Sequence, residues 1–394
     1  MENGEALNAK GKAAEIFVQQ LANKSFLEDW CYPNPKLADG KELCDLLIIY
    51  DEVVIIWQIK ALKSDSEGMY KKSAVEKNIR QLLGARRSLF ELGKPIKLVN
   101  VRRGEEIFNP RTIKETYYIS TIFGEEEEVS TFGEIVAGQV IHSFTQEFVD
   151  LALRELDTTR DFVDYLKEKT KLVLSKIYIT LLGGEKELLA YYLANERNFS
   201  RLIDLDHIII EEGFWDQLQK LPEYLAKKEA DRMSYFWDEL INRCHTGGSE
   251  YESIARELAR TNRYDRRVLS KNFYTAHVRA HNEKNTQLIR RTFSLNGVTY
   301  CFVFMDDIEP RNRRKMLLSV SCYVARGLHQ ENKKVIGIAT EMKFNPLCSY
   351  DYCLFELAEL TDDEKKQIDK VKKELGIFLN PEVTHFQEDE YPKH

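Results

Sequence analysis

Apolar residues in the first part of the chain change from helical to strand spacing and back. Residues 8–25 carry apolar side chains three and four positions apart, which predicts an amphipathic helix. Two runs rich in Ile and Val follow, Leu43–Tyr50 and Val53–Lys60, and both predict strands. The short polar link Asp51-Glu52 between them predicts a hairpin turn. Residues 70–92 return to helical spacing and predict a basic helix.

Two more apolar runs complete the first predicted domain. Ile96–Val101 and Tyr117–Phe123 both suit strands, and the Gly-Lys-Pro sequence at 93–95 is expected to end the basic helix before them. The order helix, hairpin, helix, strand, strand is typical of an α/β domain. The acidic run Glu125–Glu128 follows, so we place this domain at residues 1–124.

The pattern after the acidic run is mainly helical, and we assign residues 125–285 to a middle region. Thr158 and Asp161 have the spacing of a capping box at the start of one helix, with Asp in place of the usual Glu. Residues 185–196 and 223–242 are predicted to form further helices. A Gly-Gly pair after them predicts a loop.

The last part of the chain, residues 286–394, predicts a small α+β domain. The pair Asn296-Gly297 between two apolar runs is a hairpin signal, because both residues tolerate the left-handed backbone of a tight turn. A helix with a basic start, a buried strand and a final helix are predicted at 311–328, 333–340 and 365–375. The polar tail after them, HFQEDEYPKH, is expected to be mobile.

The composition is that of an ordinary globular chain. Of the 394 residues, 43% are hydrophobic and 31% are charged. No apolar run approaches the roughly 18–20 residues that span a bilayer, and the N-terminus lacks the apolar stretch of a signal peptide. The seven cysteines contain no CxxC pair, which favours reduced, buried thiols over disulfides or a zinc site. We therefore expect a cytoplasmic location and no membrane partner.

Positive charge is concentrated in two segments, although the net charge of the chain is −7. Residues 71–103 contain ten Lys or Arg and two Glu, and residues 256–291 contain ten Lys or Arg and three acidic residues. Segregated charge of this kind is typical of a polyanion-binding face on an acidic protein. Ordinary solvated helix faces are the alternative for either segment.

Polar residues gather at the open end of the predicted hairpin. If its strands pair antiparallel about the turn, the numbers of opposite residues sum to about 103, so Asp45 lies opposite Gln58. Because side chains alternate between the two faces of a strand, Gln58 and Lys60 project to the same side. A carboxylate, an amide and an amine are therefore expected to share one patch.

Such a patch suits a hard divalent cation such as Mg²⁺, which prefers oxygen ligands and keeps several waters. Asp45 supplies a carboxylate oxygen, and Gln58 can supply a neutral carbonyl oxygen. Lys60 is expected to orient or deprotonate the attacking water, or to offset charge in the transition state. The patch is short of negative charge. Glu15 on the first helix is the first candidate to restore it, and Glu42 is the alternate.

The arrangement of Glu15 on a helix, then Asp45, then Gln-x-Lys at 58–60, followed by a basic helix, resembles the PD-(D/E)xK nuclease superfamily in its Mrr-like variant. The resemblance covers about residues 8–124. It implies a restriction-endonuclease-like α/β fold, with a mixed central sheet flanked by helices, the Asp on the second core strand and Gln-x-Lys on the third. Two features depart from the pattern: Cys44 stands where many members have Pro, and a neutral Gln replaces an acidic residue.

The resemblance implies a metal-dependent endonuclease with Mg²⁺ or Mn²⁺ as cofactor and with DNA, in preference to RNA, as substrate. Asp45, Glu15 and Gln58 would be the metal ligands, and Lys60 would complete the catalytic set. Four residues of the basic helix are expected to contact the nucleic-acid backbone: Lys77, Arg80, Gln81 and Arg86. The other two regions would recognise the substrate or a regulatory protein partner. Whether the chain forms a homo-oligomer is left open. A role in restriction or anti-phage defence follows by analogy only.

Two alternatives stay open for this first domain. One is a catalytically degenerate nuclease fold that only binds nucleic acid or a protein. The other is purely structural, with Asp45 capping a turn and the aliphatic part of Lys60 lying along the end of a strand.

Three residues outside this domain receive a provisional interpretation. His207, beside Asp204 and Asp206, is interpreted as a partly buried histidine rather than a metal ligand, and Glu341 as the end of a strand rather than the lining of a pocket. Tyr264 is a candidate for stacking on a base, because it lies among cationic side chains that suit phosphates: Arg260, Arg263, Arg266 and Arg267.

Overall fold

The computed structural model describes most of the chain. The described residues are 12–20, 22–23, 25, 28, 30–37, 39–63, 70–92, 96–123, 132–175, 177–283, 288–306, 310–345, 348–356 and 359–392. The chain forms two compact units, Met1–Leu221 (unit 1) and Pro222–His394 (unit 2). Each unit contains both strands and helices, so the chain as a whole is of mixed α/β class. The division into three domains stays a prediction.

Unit 1 combines a large mixed sheet with helices on both of its faces. Its strands are β1 (Cys31–Pro33), β2 (Leu46–Tyr50), β3 (Val53–Ala61), β4 (Ile96–Asn100), β5 (Gly104–Phe108), β6 (Glu115–Phe123), β7 (Gly133–Val136), β8 (Gln139–Thr145), β9 (Tyr178–Leu181) and β10 (His207–Ile210). Its helices are α1 (12–20), α2 (Lys72–Phe90), α3 (Gln146–Glu155), α4 (Thr159–Leu174), α5 (Glu185–Ala194), α6 (Ser200–Ile203) and α7 (Phe214–Leu218).

The main sheet has the strand order β1-β2-β3-β6-β8-β7. Its three middle strands, β3, β6 and β8, run parallel to one another, and the flanking pairs are antiparallel. Two small sheets accompany it, an antiparallel pair of β4 with β5 and a parallel pair of β9 with β10. The predicted mixed sheet flanked by helices is thus confirmed at this level of description.

β2 and β3 form the predicted hairpin, and its turn begins at Asp51, which has a φ of 53°. Leu46 lies opposite Trp57, so the numbers of paired residues sum to 103. One position before β2, Asp45 therefore comes opposite Gln58. A slip of one residue would have moved these polar side chains to the other face of the sheet, so the register is what brings them together.

The two faces of the sheet are covered by different helices. On one face Ile56 packs in a buried cluster with Ile79 and Leu82 of α2. On the other face Trp57 stacks on Phe162 of α4, with ring centroids 5.8 Å apart. Because consecutive residues of β3 point to opposite faces, this strand is buried on both sides, which explains why its sequence is apolar almost without interruption.

The sequence predicted some of the remaining strands of unit 1 and missed others. The strand expected at Ile96–Val101 exists as β4, but it forms a separate two-stranded sheet with β5 instead of joining the main sheet. β7 and β8, which were not predicted, extend the main sheet beyond residue 124. The acidic run and the Gly-Lys-Pro sequence at 93–95 lie outside the described residues.

The middle helices begin and end close to the predicted positions, with one exception. The hydroxyl of Thr158 accepts a hydrogen bond from the main-chain N–H of Asp161 at 3.1 Å and caps α4, as predicted. The expected helix 185–196 is α5. The prediction of a single helix at 223–242 is wrong, because a 3₁₀ turn at Arg232–Ser234 divides this segment into two helices.

Unit 2 is built on a four-stranded sheet of order β11-β12-β13-β14. Its strands are β11 (Leu288–Leu295), β12 (Val298–Met305), β13 (Lys334–Glu341) and β14 (Asp351–Glu356). Its helices are α8 (Pro222–Asp231), α9 (Tyr235–His245), α10 (Glu252–Ala259), α11 (Arg263–Asn282), α12 (Arg311–Leu328) and α13 (Asp362–Glu374). β12 and β13 are parallel and are connected through α12, whereas the outer pairs are antiparallel.

The hairpin, helices and strand predicted for the last part of the chain are all present. Asn296 and Gly297 form the β11–β12 turn with φ values of 50° and 77°. Gly337 on β13 has a packing role, because a Cβ there would lie 2.4 Å from the Sγ of Cys322 on α12. The helix therefore approaches the sheet more closely than any other residue at that position would permit. Among the described helices, none is long and apolar enough to cross a membrane.

Candidate functional site

Asp45 and Gln58 meet at the open end of the β2–β3 hairpin. The Gln58 amide Nε2 donates to Asp45 Oδ2 at 2.6 Å, and the main-chain N–H of Ile59 donates to the same oxygen. Asp45 is 9% exposed and Gln58 is 6% exposed. The expected convergence of the carboxylate and the amide is confirmed, because the register and the hydrogen bond agree.

The segment before β2 fixes the position of Asp45 from the other side. Asn34, which follows β1 and has a φ of 44°, donates its main-chain N–H to the Asp45 carbonyl oxygen at 2.9 Å. The amide nitrogen of the Asn34 side chain donates to Glu42 Oε1 at 2.8 Å and to the same Asp45 carbonyl oxygen at 3.2 Å. The edge strand thus links the Asp45 main chain to Glu42.

The carboxyl groups of this region interact electrostatically. Burial, opposed by the Ile59 hydrogen bond and reinforced by the charges of Glu15 and Glu42, raises the pKa of Asp45 to about 7, while Lys60 acts to lower it. Burial and then the charge of Glu42 raise the pKa of Glu15, against the opposing effect of Lys60. Like charges raise carboxyl pKa values in this way when they are brought close together. Both carboxylates named as candidates, Glu15 and its alternate Glu42, therefore act on Asp45.

Lys60 lies near the end of β3, two residues beyond Gln58 and on the same face of the sheet. It is half-buried, and within the described part of the chain it forms no ion pair with a carboxylate. Its charge nevertheless influences the pKa of both Asp45 and Glu15. The amine is thus near the acidic patch without being held by any one carboxylate.

This patch fits a hard divalent cation by the chemistry of its donors. Asp45 Oδ1 and Gln58 Oε1 accept no hydrogen bond from the residues that the structure describes, so both oxygens are free to act as ligands. Burial first, and then the like charges nearby, raise the pKa values of Asp45 and Glu15, and a bound cation would favour the charged form of both. Over the described ranges, no three His, Cys, Asp or Glu side chains gather as a ligand group. A bound Mg²⁺ would therefore depend on water for its remaining ligands, as Mg²⁺ commonly does.

Two polar residues next to this patch were missed from the sequence. Ser120 on β6 lies opposite Gln58 in the parallel pairing, and Asn78 on α2 donates its Nδ2 to the Ser120 hydroxyl at 2.8 Å. Asn78 is fully buried, and its Oδ1 has no hydrogen-bond partner among the described residues. An asparagine on the apolar side of a predicted helix was the signal that could have identified it.

The four residues expected to contact nucleic acid lie on two sides of α2. Lys77, Arg80 and Gln81 are exposed and share one side, since Arg80 and Gln81 lie three and four positions after Lys77. Arg80 is 3.7 Å from Glu76, one turn earlier on the same exposed surface. Arg86 instead lies about half a turn away, is half-buried, and pairs with Glu91.

The second basic segment of the sequence is not an open cationic face. On α11, Arg263 and Arg266 are buried and both pair with Asp238, at 2.9 and 2.6 Å. Arg267 is completely buried and lies 2.9 Å from Asp231. The interpretation as an exposed polyanion-binding face is wrong for these three arginines, and so is the alternative of a solvated face, because carboxylates within unit 2 neutralise their charges.

The C-terminal tail is bound along α11. The Glu388 carboxylate lies 2.9 Å from Arg267 Nε and 2.5 Å from Lys271 Nζ. The Tyr264 hydroxyl donates to the main-chain oxygen of Glu388. The expectation of a mobile tail is therefore wrong for residues 388–390, and Tyr264 is in contact with the tail instead of being free to stack on a base.

The remaining single residues have local roles. The interpretation of His207 as a partly buried histidine is wrong, because the residue is exposed, with its Nε2 3.4 Å from the Thr180 hydroxyl. Glu341 ends β13 as expected but also pairs with the buried Arg314 at 2.8 Å and accepts from the Ser349 hydroxyl at 2.6 Å. Hydrogen bonds from Ser349 and Arg314, which outweigh burial, lower the pKa of Glu341 to about 2.

A surface cleft of about 420 Å³ lies in unit 2, and none of the candidate residues of unit 1 is among its lining residues. Its lining includes Arg243, Tyr251, Lys315, Tyr350 and Tyr352. The patch around Asp45 is thus assigned by its chemistry and not by the size of a cavity.

Comparison with known proteins gives no further indication of identity. Searches against protein-family models, curated proteins and solved structures return no match for this chain.

Proposed function

We propose that unit 1 is a metal-dependent nuclease domain of the PD-(D/E)xK, restriction-endonuclease-like type, acting on the phosphodiester bonds of DNA in the cytoplasm. The supporting observation is the convergence of the buried Asp45 and Gln58 at the open end of the β2–β3 hairpin, where the charges of Glu15, Glu42 and Lys60 act on Asp45. Carboxylates crowded around a buried Asp, with one amine near them, are expected at a cation-dependent hydrolytic site. A role in restriction or anti-phage defence is part of the proposal by analogy only.

The order of elements also supports this assignment. A helix bearing Glu15, a hairpin bearing Asp45 and Gln58, and a basic helix covering one face of a mixed sheet follow one another in unit 1. This is the order that the resemblance implies for the nuclease core. The neutral Gln58 is the Mrr-like feature.

Asp45 Oδ1 and a Glu15 oxygen would hold the cation, with Gln58 Oε1 as a neutral ligand. Mg²⁺ or Mn²⁺, when bound, would supply Lewis-acid stabilisation of charge on the phosphate. Asp45 can ligate only as a carboxylate. The hydrogen bonds that Ile59 and Gln58 donate to Asp45 Oδ2 favour the ionised carboxylate. They leave Asp45 Oδ1 for the cation.

Lys60 would stabilise the negative charge that develops on the phosphate oxygens, or orient the attacking water through its ammonium group. Its half-buried position strengthens either effect, because charges interact more strongly where water is excluded. Lys77, Arg80 and Gln81 would position the substrate backbone from the exposed side of α2. Arg86, which is turned away and paired with Glu91, would act on the stability of α2 instead.

A catalytically degenerate fold that only binds nucleic acid or a protein is the second candidate. It is favoured by the neutral amide at position 58 and by the lack of a three-member acidic or His/Cys ligand group in the described part of the chain. Such a protein would keep the basic surface of α2 but would not hydrolyse phosphodiester bonds.

A cleavage assay distinguishes the two candidates. Purified full-length protein would be incubated with supercoiled, linear and single-stranded DNA and with RNA, in Mg²⁺, Mn²⁺ or EDTA. We expect metal-dependent cleavage of DNA. Lys60→Ala should lower the rate at least 100-fold, because an interaction made in the transition state is removed, with little change in the free energy of unfolding.

Lys63→Ala is the matched control, since Lys63 is an exposed lysine three residues further along the chain. It should cleave like the wild type. Equal activity of wild type and Lys60→Ala would contradict the proposed site. Binding of DNA without cleavage in any metal would favour the degenerate fold.

A further inference from the structure

An acidic, extended segment at the end of the chain lies along one side of α11. Residues 381–389 have no regular secondary structure. Glu388 is only 9% exposed in its side chain, and Glu382 at the start of the segment lies 2.9 Å from Arg279. Asp389 and Glu390 add main-chain oxygens, 2.8 and 3.1 Å from Arg267 Nη2. The segment thus presents anionic and carbonyl oxygens to a basic helix.

The α11 residues that receive the tail form one stripe, which we call the α11 stripe: Tyr264, Arg267, Lys271 and Arg279. At about 100° per residue these positions fall within roughly one third of the helix circumference, and they span about 22 Å. The stripe thus combines three cations with one aromatic ring. Cations that follow a backbone, together with an aromatic side chain, are what proteins use to bind single-stranded nucleic acid.

Outside the tail, unit 2 provides little negative charge for this stripe. Arg267 shares Asp231 with Lys227, which lies 2.5 Å from the same carboxylate. For Lys271 and Arg279, the ion pairs with described residues are those to the tail carboxylates. Without the tail, Lys271 and Arg279 would therefore lose these carboxylates, and Arg267 would keep the one that it shares with Lys227.

The tail also fits the stripe imperfectly. The Nε of Arg267 is buried and makes no hydrogen bond with a described residue, although it lies 2.9 Å from Glu388 Oε1. The other oxygen of that carboxylate, Oε2, is also buried and has no hydrogen-bond partner in the described ranges. Unmade hydrogen bonds in a buried contact are costly. A phosphodiester, whose two non-bridging oxygens are set tetrahedrally on phosphorus, would present its acceptors to these donors in a different geometry from a carboxylate.

We propose that the α11 stripe binds the phosphate backbone of single-stranded nucleic acid and that the acidic tail occupies this surface until it is displaced. This interaction surface lies in unit 2 and does not depend on the nuclease activity proposed for unit 1. The tail carboxylates take the positions of phosphates, and the ring of Tyr264 becomes free for a base when the tail leaves.

The test is the affinity of the full-length protein for a fluorescein-labelled 20-nucleotide oligo(dT), measured by anisotropy at low salt in EDTA so that no cleavage occurs. The double variant Glu382→Gln/Glu388→Gln removes two tail charges. Asp363→Asn/Glu374→Gln removes the same charge from exposed positions of α13 and is the matched control. We expect at least fivefold tighter binding for the tail variant and less than a twofold change for the control.

Two further variants locate the effect. A chain ending at Asn380, which lacks the tail entirely, should bind as tightly as the tail variant. Adding Lys271→Gln/Arg279→Gln to either should return the affinity to that of the wild type. The proposal is overturned if the tail variants bind like the wild type, if the control tightens equally, or if the tightening survives Lys271→Gln/Arg279→Gln. Equal competition by polyglutamate would assign the surface to an acidic peptide partner instead.

Hydrogen exchange of the unaltered protein provides a measurement that no folding defect can obscure. Saturating oligo(dT) should increase deuterium uptake in residues 381–392, because the tail is released. Unchanged or reduced uptake in this segment on binding would overturn the proposal.

Discussion

At the scale of single residues, Asp45 is held in a position that disfavours its own charge. It is buried, and the charges of Glu15 and Glu42 oppose its ionisation, while one hydrogen bond from Ile59 and the charge of Lys60 only partly compensate. A carboxyl group in such surroundings costs stability when it ionises, and proteins retain such groups where they serve a function. The first consequence is a dependence of stability on pH that can be assigned to this one residue.

We expect Asp45→Asn to flatten the pH dependence of stability. Since the pKa of Asp45 in the folded protein, about 7, is above its ordinary value of 3.8, its contribution to stability is complete below about pH 4 and is lost as pH rises through 7. Between pH 5 and pH 8 the wild type should lose about 2–3 kcal/mol more than the variant. Urea unfolding in EDTA at both pH values measures this difference.

Asp39→Asn serves as the control for this experiment. Asp39 is an exposed carboxyl in the loop before β2, so its removal should leave the pH dependence of the wild type unchanged. Parallel pH dependences for wild type and Asp45→Asn would show that Asp45 ionises normally, and the electrostatic coupling described above would then be wrong.

The sequence was informative about these residues because they lie on a hairpin. A two-residue turn fixes which residues are opposite, so Asp45 and Gln58 could be paired by number alone. The contributions of Asn34, Asn78 and Ser120 could not be obtained in this way. Each reaches the patch from a different element, and a local pattern contains no information about such contacts.

At the scale of elements, α2 has two functionally different sides. Its buried side holds the sheet through Ile79, Leu82 and Leu89, and its exposed side carries Lys77 and Arg80. The helical spacing in the sequence predicts this division. It also places Arg86 near the buried side, although the charge of that residue alone suggested contact with nucleic acid.

Charge removal on the two sides of α2 should therefore have different effects. Lys77→Gln/Arg80→Gln is expected to weaken DNA binding. It should also make the slope of log affinity against log salt concentration shallower by about one unit for each lost phosphate contact. Arg86→Gln should leave DNA affinity within about twofold and reduce stability instead, because its ion pair with Glu91 is lost. Anisotropy titrations in EDTA at several salt concentrations measure the first effect, and urea unfolding measures the second. A larger loss of affinity for Arg86→Gln than for the double variant would reverse this assignment.

Short strands were the elements that the sequence predicted least well. β5 is GEEIF, with charged residues where a strand is expected to be apolar, and β7 has four residues before a tight turn at Ala137-Gly138. Both are defined by their pairing with a neighbour, β5 with β4 and β7 with β8. Long apolar elements such as β3 and β6 were predicted within two residues of their bounds, because burial on both faces leaves a clear signal.

At the scale of the whole molecule, the chain folds as two compact units, and each contains a buried apolar cluster. Long-range pairing within unit 2 is what the sequence could not reveal. The arginines of α11 looked like an exposed basic segment, yet their partners Asp238, Asp231 and Glu388 are about 25, 36 and 121 residues away. Net charge in a window of sequence does not show which charges are neutralised in the fold.

Gly337→Ala should destabilise unit 2 without affecting unit 1. The new Cβ would lie 2.4 Å from Cys322 Sγ, and overpacking of this kind costs about 1–3 kcal/mol. Gly84→Ala, in α2, places its Cβ within 4 Å of no atom from the described residues outside its own helical turn and should stabilise unit 1 by up to about 1 kcal/mol. Calorimetry should show one transition shifted down by the first change and a different one shifted up by the second. A single transition that moves with both would contradict independent cores.

The central claim is that Asp45, with Glu15 and Gln58, forms a cation site in unit 1, and a titration with Mn²⁺ followed by calorimetry tests it without knowledge of the substrate. We expect one site in the wild type whose affinity rises from pH 6 to pH 8, because the Asp45 carboxyl must lose its proton to ligate. Asp45→Asn should weaken binding at least tenfold, and Asp39→Asn should not change it. Equal Mn²⁺ affinity of the wild type and Asp45→Asn at pH 8 would contradict the claim.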